Sequence, residues 1–385
     1  MNRDYAEHMA DDRCPGAFRL HEAADGLLAR VRLPGGMLTP AQVHTLAEVA
    51  RNHSNGVLEL TSRANIQLRG IPDADAADAV VEQLTTAGLL PSRTHERVRN
   101  ILASPLSGVM GGFVDVRPWV TRFDELLCSQ PELAALSGRF LVGFDDGRGD
   151  IAGLDADITA MAFDETTVAL LVGGSDTGIR VPVDDVVPLV LEAALAFAAV
   201  RTGEWRVNDL PERGREITAS LSVAPTHGAE DVYVPERTVP PVGWFASDDG
   251  GVALGAATRL GRIDVRLAEF LAAIEQPVVV TPWRTLVVTG LDEWRAEQVV
   301  RVLAPMGLIF DADSPWVSVS ACTGRPGCGR AVADVHADVT QAVTEDSLPV
   351  QGRQHWVGCE RQCGTPAGEV HVVTATTSGY RTART

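Results

Sequence analysis

The string Thr61-Ser62-Arg63-Ala64-Asn65-Ile66-Gln67-Leu68-Arg69-Gly70 decides how this chain is read, because its frame returns once. Setting Gly70 on Gly290 gives an offset of 220 residues, puts Thr61 on Thr281 and brings Gly88 within one residue of the match to Gly307. The flanks keep the same order of elements. Around the first string the chain reads as a strand at 27–33, a Pro34-Gly35-Gly36 turn and a helix opened by Thr39 and Pro40 that runs to about residue 52. Strands at 56–61 and 65–69 follow, then a helix over 74–86, capped by Asp73 and stopped at Gly88. The second copy reads as a strand at 252–260, a helix at 264–274, strands at 278–281 and 285–289, a helix at 291–303, then Gly307. A fixed order of elements at a fixed offset is the mark of an internal duplication.

Each copy has a sequel: Val98-Arg99-Asn100-Ile101-Leu102-Ala103-Ser104 after the first, Ser318-Val319-Ser320-Ala321-Cys322-Thr323-Gly324 after the second. At the same offset, the cysteine-bearing sequel falls where the first copy has Arg99 and Asn100. One half would then carry cysteines and the other arginines, about a pseudo-two-fold axis. Four of the six cysteines form two close pairs, Cys322 with Cys328 and Cys359 with Cys363. The spacers are rich in Gly, Pro and Thr, so both pairs lie on turns, where backbone N–H groups are free to point at bound sulfur. Four thiolates from two loops make a soft site that suits an iron–sulfur cluster or zinc. The gap of five residues in the first pair is wider than the usual zinc knuckle. Cys14 and Cys128 fall outside the pattern and read as structural.

Between the copies, residues 139–144, 158–163 and 167–172 read as a meander of strands, followed by a helix at 183–201. Residues 203–250 read mainly as connection, and 374–385 as a loose polar tail. The expected division is a first half-domain at 14–90, a first lobe at 91–203, a linker and second half-domain at 204–310, and a cysteine-bearing lobe at 311–385.

Hydrophobic residues make up 45% of the 385, enough for a full core. The chain has no apolar run of a length that spans a bilayer, and its first residues lack the apolar core of a signal peptide. The reading therefore expects a cytoplasmic protein with reduced thiols, which favours metal ligation over cross-linking. A net charge of −18 argues against nucleic acid and anionic membranes as partners. There is no lysine: all 33 basic residues are arginines. Any basic side chain that clamps an anion must therefore be Arg or protonated His, and Arg favours planar, bidentate partners such as carboxylates. Arginines concentrate in Arg30-Val31-Arg32-Leu33-Pro34-Gly35-Gly36, in the Thr61–Gly70 string and at Arg99-Asn100, with Arg139-Phe140 opening the meander.

Taken together, these strings resemble the sulfite and nitrite reductase superfamily over roughly residues 14–372. The resemblance implies an α+β, pseudo-two-fold duplicated fold of the nitrite/sulfite reductase kind, with ferredoxin-like half-domains and two cluster- and tetrapyrrole-binding lobes. It implies a [4Fe–4S] cluster on Cys322, Cys328, Cys359 and Cys363, with Cys363 placed to bridge to sirohaem iron in a reductase. It also implies tetrapyrrole contacts from Arg32, Arg63, Asn65, Gln67, Arg69, Arg99 and Asn100, with Arg99 and Arg139 at the reacting face. One departure stands out. The reductases carry a Lys-aromatic-Lys string that protonates the bound oxyanion, and here that string looks like Arg139-Phe140-Leu141. A guanidinium is a poor proton donor. The chain is more similar to the precorrin-3B synthase branch of the superfamily, which implies an O2-dependent monooxygenase on a carboxylate-rich tetrapyrrole. Such an enzyme would draw electrons from ferredoxin or an NAD(P)H-linked reductase and use a mononuclear iron as a further centre. The other expectations are a sirohaem-dependent nitrite or sulfite reductase, and a non-catalytic zinc or cluster module.

Overall fold

Each copy of the repeat folds as a small antiparallel sheet backed by two helices. The computed structural model describes residues 12, 14–228, 232–235, 238–366 and 368–384; the first residues, used for the signal-peptide argument, lie outside them. In the first copy the strands are β1 (His21–Ala23), β2 (Gly26–Val31), β3 (Met37–Leu38), β4 (Val57–Leu60) and β5 (Ile66–Ile71), with helices α1 (Pro40–His53) and α2 (Ala74–Thr86). The first lobe holds β6 (Ile101–Ala103), α3 (Arg117–Ser129), β7 (Val142–Asp145), β8 (Ile158–Ala162), β9 (Thr167–Val172), β10 (Ser175–Pro182), α4 (Val186–Val200) and α5 (Arg215–Ser220). The second copy holds β11 (Gly243–Ala246), β12 (Val252–Thr258), β13 (Arg262–Asp264), α6 (Val265–Ala273), β14 (Val278–Val280), β15 (Thr285–Leu291), α7 (Glu293–Leu303) and β16 (Leu308–Ile309). The second lobe holds α8 (Pro315–Ser318), β17 (Val319–Ala321), α9 (Val335–Thr344), β18 (Gln354–Val357), β19 (His371–Thr376) and β20 (Gly379–Arg384).

Helix starts follow local chemistry. Thr39 and Gln42 form a reciprocal capping box at α1, and Asp73, Asp264 and Asp292 each accept an N–H from the first turn of α2, α6 and α7. The turn that anchors the repeat is the same in both copies. Thr61 N–H donates to Asn65 O at 2.9 Å and Thr281 N–H to Thr285 O at 3.0 Å. Ala64 and Arg284 sit in the left-handed region at φ 54° and 58°, as do Gly70 and Gly290 at 70° and 73°.

The copies exchange a strand. β13 pairs with β4 in the first sheet, while β3 pairs with β14 in the second. The first sheet runs β1-β2-β5-β4-β13 and the second β11-β12-β15-β14-β3. Helices α1 and α6 pack on each other, and one apolar core runs through both sheets, joining Leu46, Leu68 and Ile71 with Leu254, Leu271 and Val288. Exchange and shared core bind the halves into one body, the pseudo-two-fold arrangement that the repeat implied.

The lobes repeat too. In both, three strands lie parallel and a fourth returns antiparallel: β6-β7-β8-β9 and β17-β18-β19-β20. Here the structure corrects several readings. β7 and β8 are parallel, so residues 139–172 are not a simple meander. The tail is no loose end, since β20 pairs with β19 along its whole length. Residues 203–250 contain α5 and β11 as well as connection. The counterpart of the first cysteine is Ser104, not Arg99 or Asn100. Ser104 N–H donates to Phe144 O at 3.1 Å, and Cys322 N–H donates to Trp356 O at 2.9 Å, across equivalent strand pairs. The constant offset of 220 puts Cys322 on Leu102, whereas the lobes are related by 218, so the offset drifts by two residues between half-domain and lobe, and the reading that set the cysteines at Arg99 and Asn100 misses the register further. Among the described residues, no helix is long and apolar enough to cross a membrane.

Candidate functional site

β17 and β18 are parallel neighbours, so their C-terminal ends release both cysteine loops on the same edge of the sheet. Cys322 directly follows β17, and Gly358-Cys359 directly follows β18. The loops are stitched together. Val332 N–H donates to Gly358 O at 2.8 Å, and Gly358 N–H points at Cys322 Sγ at 3.2 Å. Two glycines make the nesting possible. A Cβ on Gly358 would lie 2.6 Å from Ala331 Cβ, and one on Gly324, at φ 64°, 2.6 Å from Val335 Cγ2. His355 is fully buried beneath them, with Nδ1 2.8 Å from Ser320 Oγ and Nε2 3.0 Å from Cys363 O. Burial pulls its imidazole down to about 4, so it stays neutral, with Nε2–H donating to the Cys363 carbonyl.

The donor set can be tested against the two soft-site candidates. A tetrahedral zinc thiolate site, with Zn–S of about 2.3 Å, sets its sulfurs roughly 3.8 Å apart. Among the described residues no three cysteine sulfurs lie within 4.8 Å of one another. Cys322 feels the charge of Cys328 and Cys363, so at least three thiols gather at this edge as a soft donor set of the kind that holds iron–sulfur clusters.

Opposite the cysteines stands a face of the first sheet. Its cross-strand register places Arg262 beside Glu59, Glu59 beside Gln67, and Gln67 beside Arg30. The side chains join in that order. Arg30 Nη2 donates to Gln67 Oε1 at 2.9 Å, Gln67 Nε2 donates to Glu59 Oε2 at 3.0 Å, and Arg262 Nε lies 3.9 Å from Glu59 Oε1. Arg63, on the turn after β4, and Arg284, on the equivalent turn after β14, extend this face. A chamber of about 320 Å³ separates the polar row from Cys322 and Cys363. A larger groove of about 790 Å³ meets it at Glu59, Arg262, Thr323 and His336. The arginines are under-satisfied: Nε of Arg30 and Arg262 is buried with no hydrogen-bond partner, as are Nε and Nη2 of Arg32. Burial also pulls Arg32 down to about 9 and Arg63 to about 10, both still cationic at neutral pH. Buried guanidinium groups with spare donors suit an anionic guest.

The structure separates the residues singled out from the sequence. Arg63 and Gln67 line the chamber, and Arg63 Nη1 also donates to Gly138 O at 3.0 Å. Arg32 is buried and does not line the chamber, with Nη1 donating to Pro15 O. Arg69 lines the outer groove. It is held by Asp25 at 2.9 and 2.8 Å and donates to Gly327 O at 2.8 Å, clasping the first cysteine loop to the first half-domain. Asn65 and Asn100 are scaffold. Asn65 Oδ1 accepts Leu33 N–H, its Nδ2 donates to Asn100 Oδ1, and Asn100 holds the Gly138 and Phe140 carbonyls. Neither residue named for the reacting face lines the chamber. Arg99 is locked on Asp124 at 2.7 and 2.6 Å, and Arg139 is exposed, its guanidinium 4.1 Å above the Trp205 ring. Sequence reasoning missed Glu59, Arg262 and Arg284 as chamber residues. Arg284 could have been found, because the 220 offset puts it on the turn position of Ala64. Arg262 could not, since it reaches the chamber through the exchanged strand.

One further group of potential ligands exists: Asp145, Asp146 and Asp150. Asp145 is consumed by four backbone N–H groups of its own loop, from Gly147, Gly149, Ile151 and Ala152, and Asp146 by Arg148. These carboxylates are committed to their own loop.

Known proteins resemble this chain in sequence and fold. Residues 19–85 match the family model described as the nitrite/sulfite reductase ferredoxin-like half domain. A precorrin-3B synthase from Sinorhizobium sp is 25% identical over 95% of this chain and 81% of its own length. The ferredoxin–nitrite reductase of Leptolyngbya laminosa is 25% identical over 92% of this chain and 77% of its own. The chloroplastic ferredoxin–nitrite reductase of Arabidopsis thaliana is 24% identical over 88% of this chain, which spans only 65% of that enzyme. Among solved structures, the NirA protein of Mycobacterium tuberculosis superposes with a TM-score of 0.75 over 93% of this chain and 73% of its own, at 18% identity. The superfamily resemblance read from the motifs is thereby borne out: the chain has the nitrite/sulfite reductase fold, a duplicated α+β scaffold whose residues 19–85 form that family's ferredoxin-like half domain.

Proposed function

We propose that this chain is a monooxygenase of the precorrin-3B synthase type. It would bind precorrin-3A in the chamber between Arg30, Arg63, Arg262, Arg284 and the cysteine loops. Dioxygen supplies a hydroxyl at C20 of the macrocycle, and the ring-A acetate closes a γ-lactone. The second oxygen atom leaves as water, which consumes two electrons and two protons. The observation that carries the reading is the chamber itself: four arginines, two of them with an unpartnered buried Nε, face Cys322 and Cys363 across a gap, in a chain without lysine. Each charge-assisted hydrogen bond to a substrate carboxylate contributes about 1.5–3 kcal/mol, and several together fix the orientation of a flexible macrocycle.

In this reading Cys322, Cys328, Cys359 and Cys363 hold a [4Fe–4S] cluster, which supplies one-electron transfer from a ferredoxin or an NAD(P)H-linked reductase. The chain's own part is to clamp, orient and exclude water. Arg69 and His355 keep the two cysteine loops in place against the chamber. A mononuclear iron does not fit it: among the described residues, no three His, Cys, Asp or Glu ligand atoms converge there.

The second reading is a sirohaem-dependent nitrite or sulfite reductase, favoured by nitrite reductases of similar identity to this chain. Against it, Phe140 and Leu141 are buried and Arg139 stacks on Trp205, so the string that would hold and protonate an oxyanion does not line the chamber. The test is anaerobic reconstitution with iron and sulfide, followed by precorrin-3A, a reductant and 18O-labelled dioxygen. The product is expected to gain one labelled oxygen atom. No gain of label, with sirohaem's visible bands and nitrite consumption instead, would select the reductase.

A further inference from the structure

We propose that Glu59 is the proton donor of the chamber. This rests on the reading above that the chamber is where the reaction occurs. Insertion of one oxygen atom sends the other out as water, with two electrons from the external donor and two protons from solvent. Those protons must cross a site lined by arginines, which hold theirs too tightly to give them up.

Glu59 is the only carboxylate lining the chamber among the described residues, and it also lines the outer groove. It therefore stands where solvent-side and chamber-side space meet. Of the other residues at that junction, Arg262 cannot release a proton, Thr323 is a hydroxyl far too weak in acid strength, and His336 is neutral, pulled down to about 4 by burial. The carboxyl is also aimed. Gln67 donates to Oε2 and is itself fixed by Arg30, so one oxygen is anchored while the other faces Arg262 across 3.9 Å. The charges around it are Arg262 on β13, Arg69 on β5, Asp25 on the β1–β2 turn and Arg284 on the β14–β15 turn. Burial raises its pKa above the ordinary carboxylate range, with Arg69 and Arg262 opposing. The protonated form is thus available nearer neutrality than for an exposed Glu. Each turnover passes a proton from Glu59 Oε to the departing oxygen, and the groove returns one from water.

The test compares cluster-loaded wild type with Glu59→Gln, which keeps the shape and the Gln67 contact, and with Glu59→Asp. For Glu59→Gln, kcat for oxygenation of precorrin-3A is expected to fall about 100-fold or more, with tetrapyrrole affinity within about threefold of wild type. Wild-type kcat should fall as pH rises through the Glu59 ionisation. That limb should vanish in Glu59→Gln and persist, at reduced rate, in Glu59→Asp. A second readout needs no turnover: infrared difference spectra of tetrapyrrole binding should show a protonated-carboxyl band that Glu59→Gln removes. A kcat within threefold of wild type, or a carboxyl band unchanged in Glu59→Gln, overturns the proposal. If wild type binds precorrin-3A but never oxygenates it, the function proposed above fails, and the infrared arm alone decides on Glu59.

Discussion

The two lobes are the same fold put to different ends. In the first, the loops after β6 and β7 close on their own polar groups. Ser104 Oγ donates to Asp150 at 2.6 Å and accepts Asp146 N–H, while Phe113 N–H donates to Asp146 O. In the second, the equivalent loops carry Cys322 and Cys359, and Val332 N–H donates to Gly358 O in the place of the Phe113 bond. The backbone pattern is preserved; only the side chains that fill the edge differ. One edge is filled by carboxylates held by backbone N–H groups, Arg148 and Ser104, the other by cysteines, of which Cys322 faces the backbone N–H groups of Gly358 and Gly324. The comparison teaches that a duplicated scaffold gives two equivalent loop edges, and the donor chemistry placed there decides which becomes a site and which becomes a buckle.

The sharpest way to break this comparison is to substitute equivalent positions. Cys322→Ala is expected to reduce iron and sulfide from about four each per chain to near zero, with loss of oxygenation. Ser104→Ala at the matching position should cost about 1–3 kcal/mol of stability, for the two hydrogen bonds its hydroxyl makes, and leave cluster loading intact. Metal analysis and denaturant melts on the two variants decide it.

A second contrast lies among the arginines. Arg99 is a buried ion-pair partner of Asp124, so Arg99→Ala should cost about 3–5 kcal/mol of stability by stranding that carboxylate. Arg30→Ala should instead weaken tetrapyrrole binding about 10–100-fold, with a small effect on the melt. If Arg99→Ala proves as stable as wild type but cannot bind, its place is in the chamber after all.

The smallest expected effect is in the buckle. Burial beside Asp145 raises Asp150 to about 7. Its folded-state pKa lies above its unfolded value, so the native state loses stability as pH rises from about 4 through 7. Asp150→Asn should therefore stabilise the protein by about 1–3 kcal/mol at pH 8 and by nothing near pH 4. Thermal melts at the two pH values read it directly.

Much of the fold was legible because local signals agreed. Helix α2 was bounded correctly by Asp73 and Gly88, and Thr61 and Thr281 marked equivalent turns before any coordinates. What escaped is what only three dimensions create. The β3–β13 exchange depends on pairing between residues far apart in sequence, so it concealed Arg262 from any local reading. The parallel pairing of β7 and β8 could not be told from a meander, because strand direction leaves no trace in alternation. Of the residues in the arginine strings, Arg30, Arg63 and Gln67 line the chamber. The strings did not distinguish a guanidinium facing a cavity from one committed to an internal carboxylate, as at Arg99 and Asp124, because that choice is made by a partner elsewhere in the chain.

The most direct test of the central claim is the electron paramagnetic resonance spectrum of the reduced, reconstituted protein during titration with precorrin-3A. A guest held between the arginine face and the four cysteines must perturb the cluster signal at saturation, and the double variant Arg30→Ala/Arg284→Ala should require a far higher concentration to do so. A signal indifferent to bound tetrapyrrole, or a protein that takes up one zinc and no sulfide, would contradict the account.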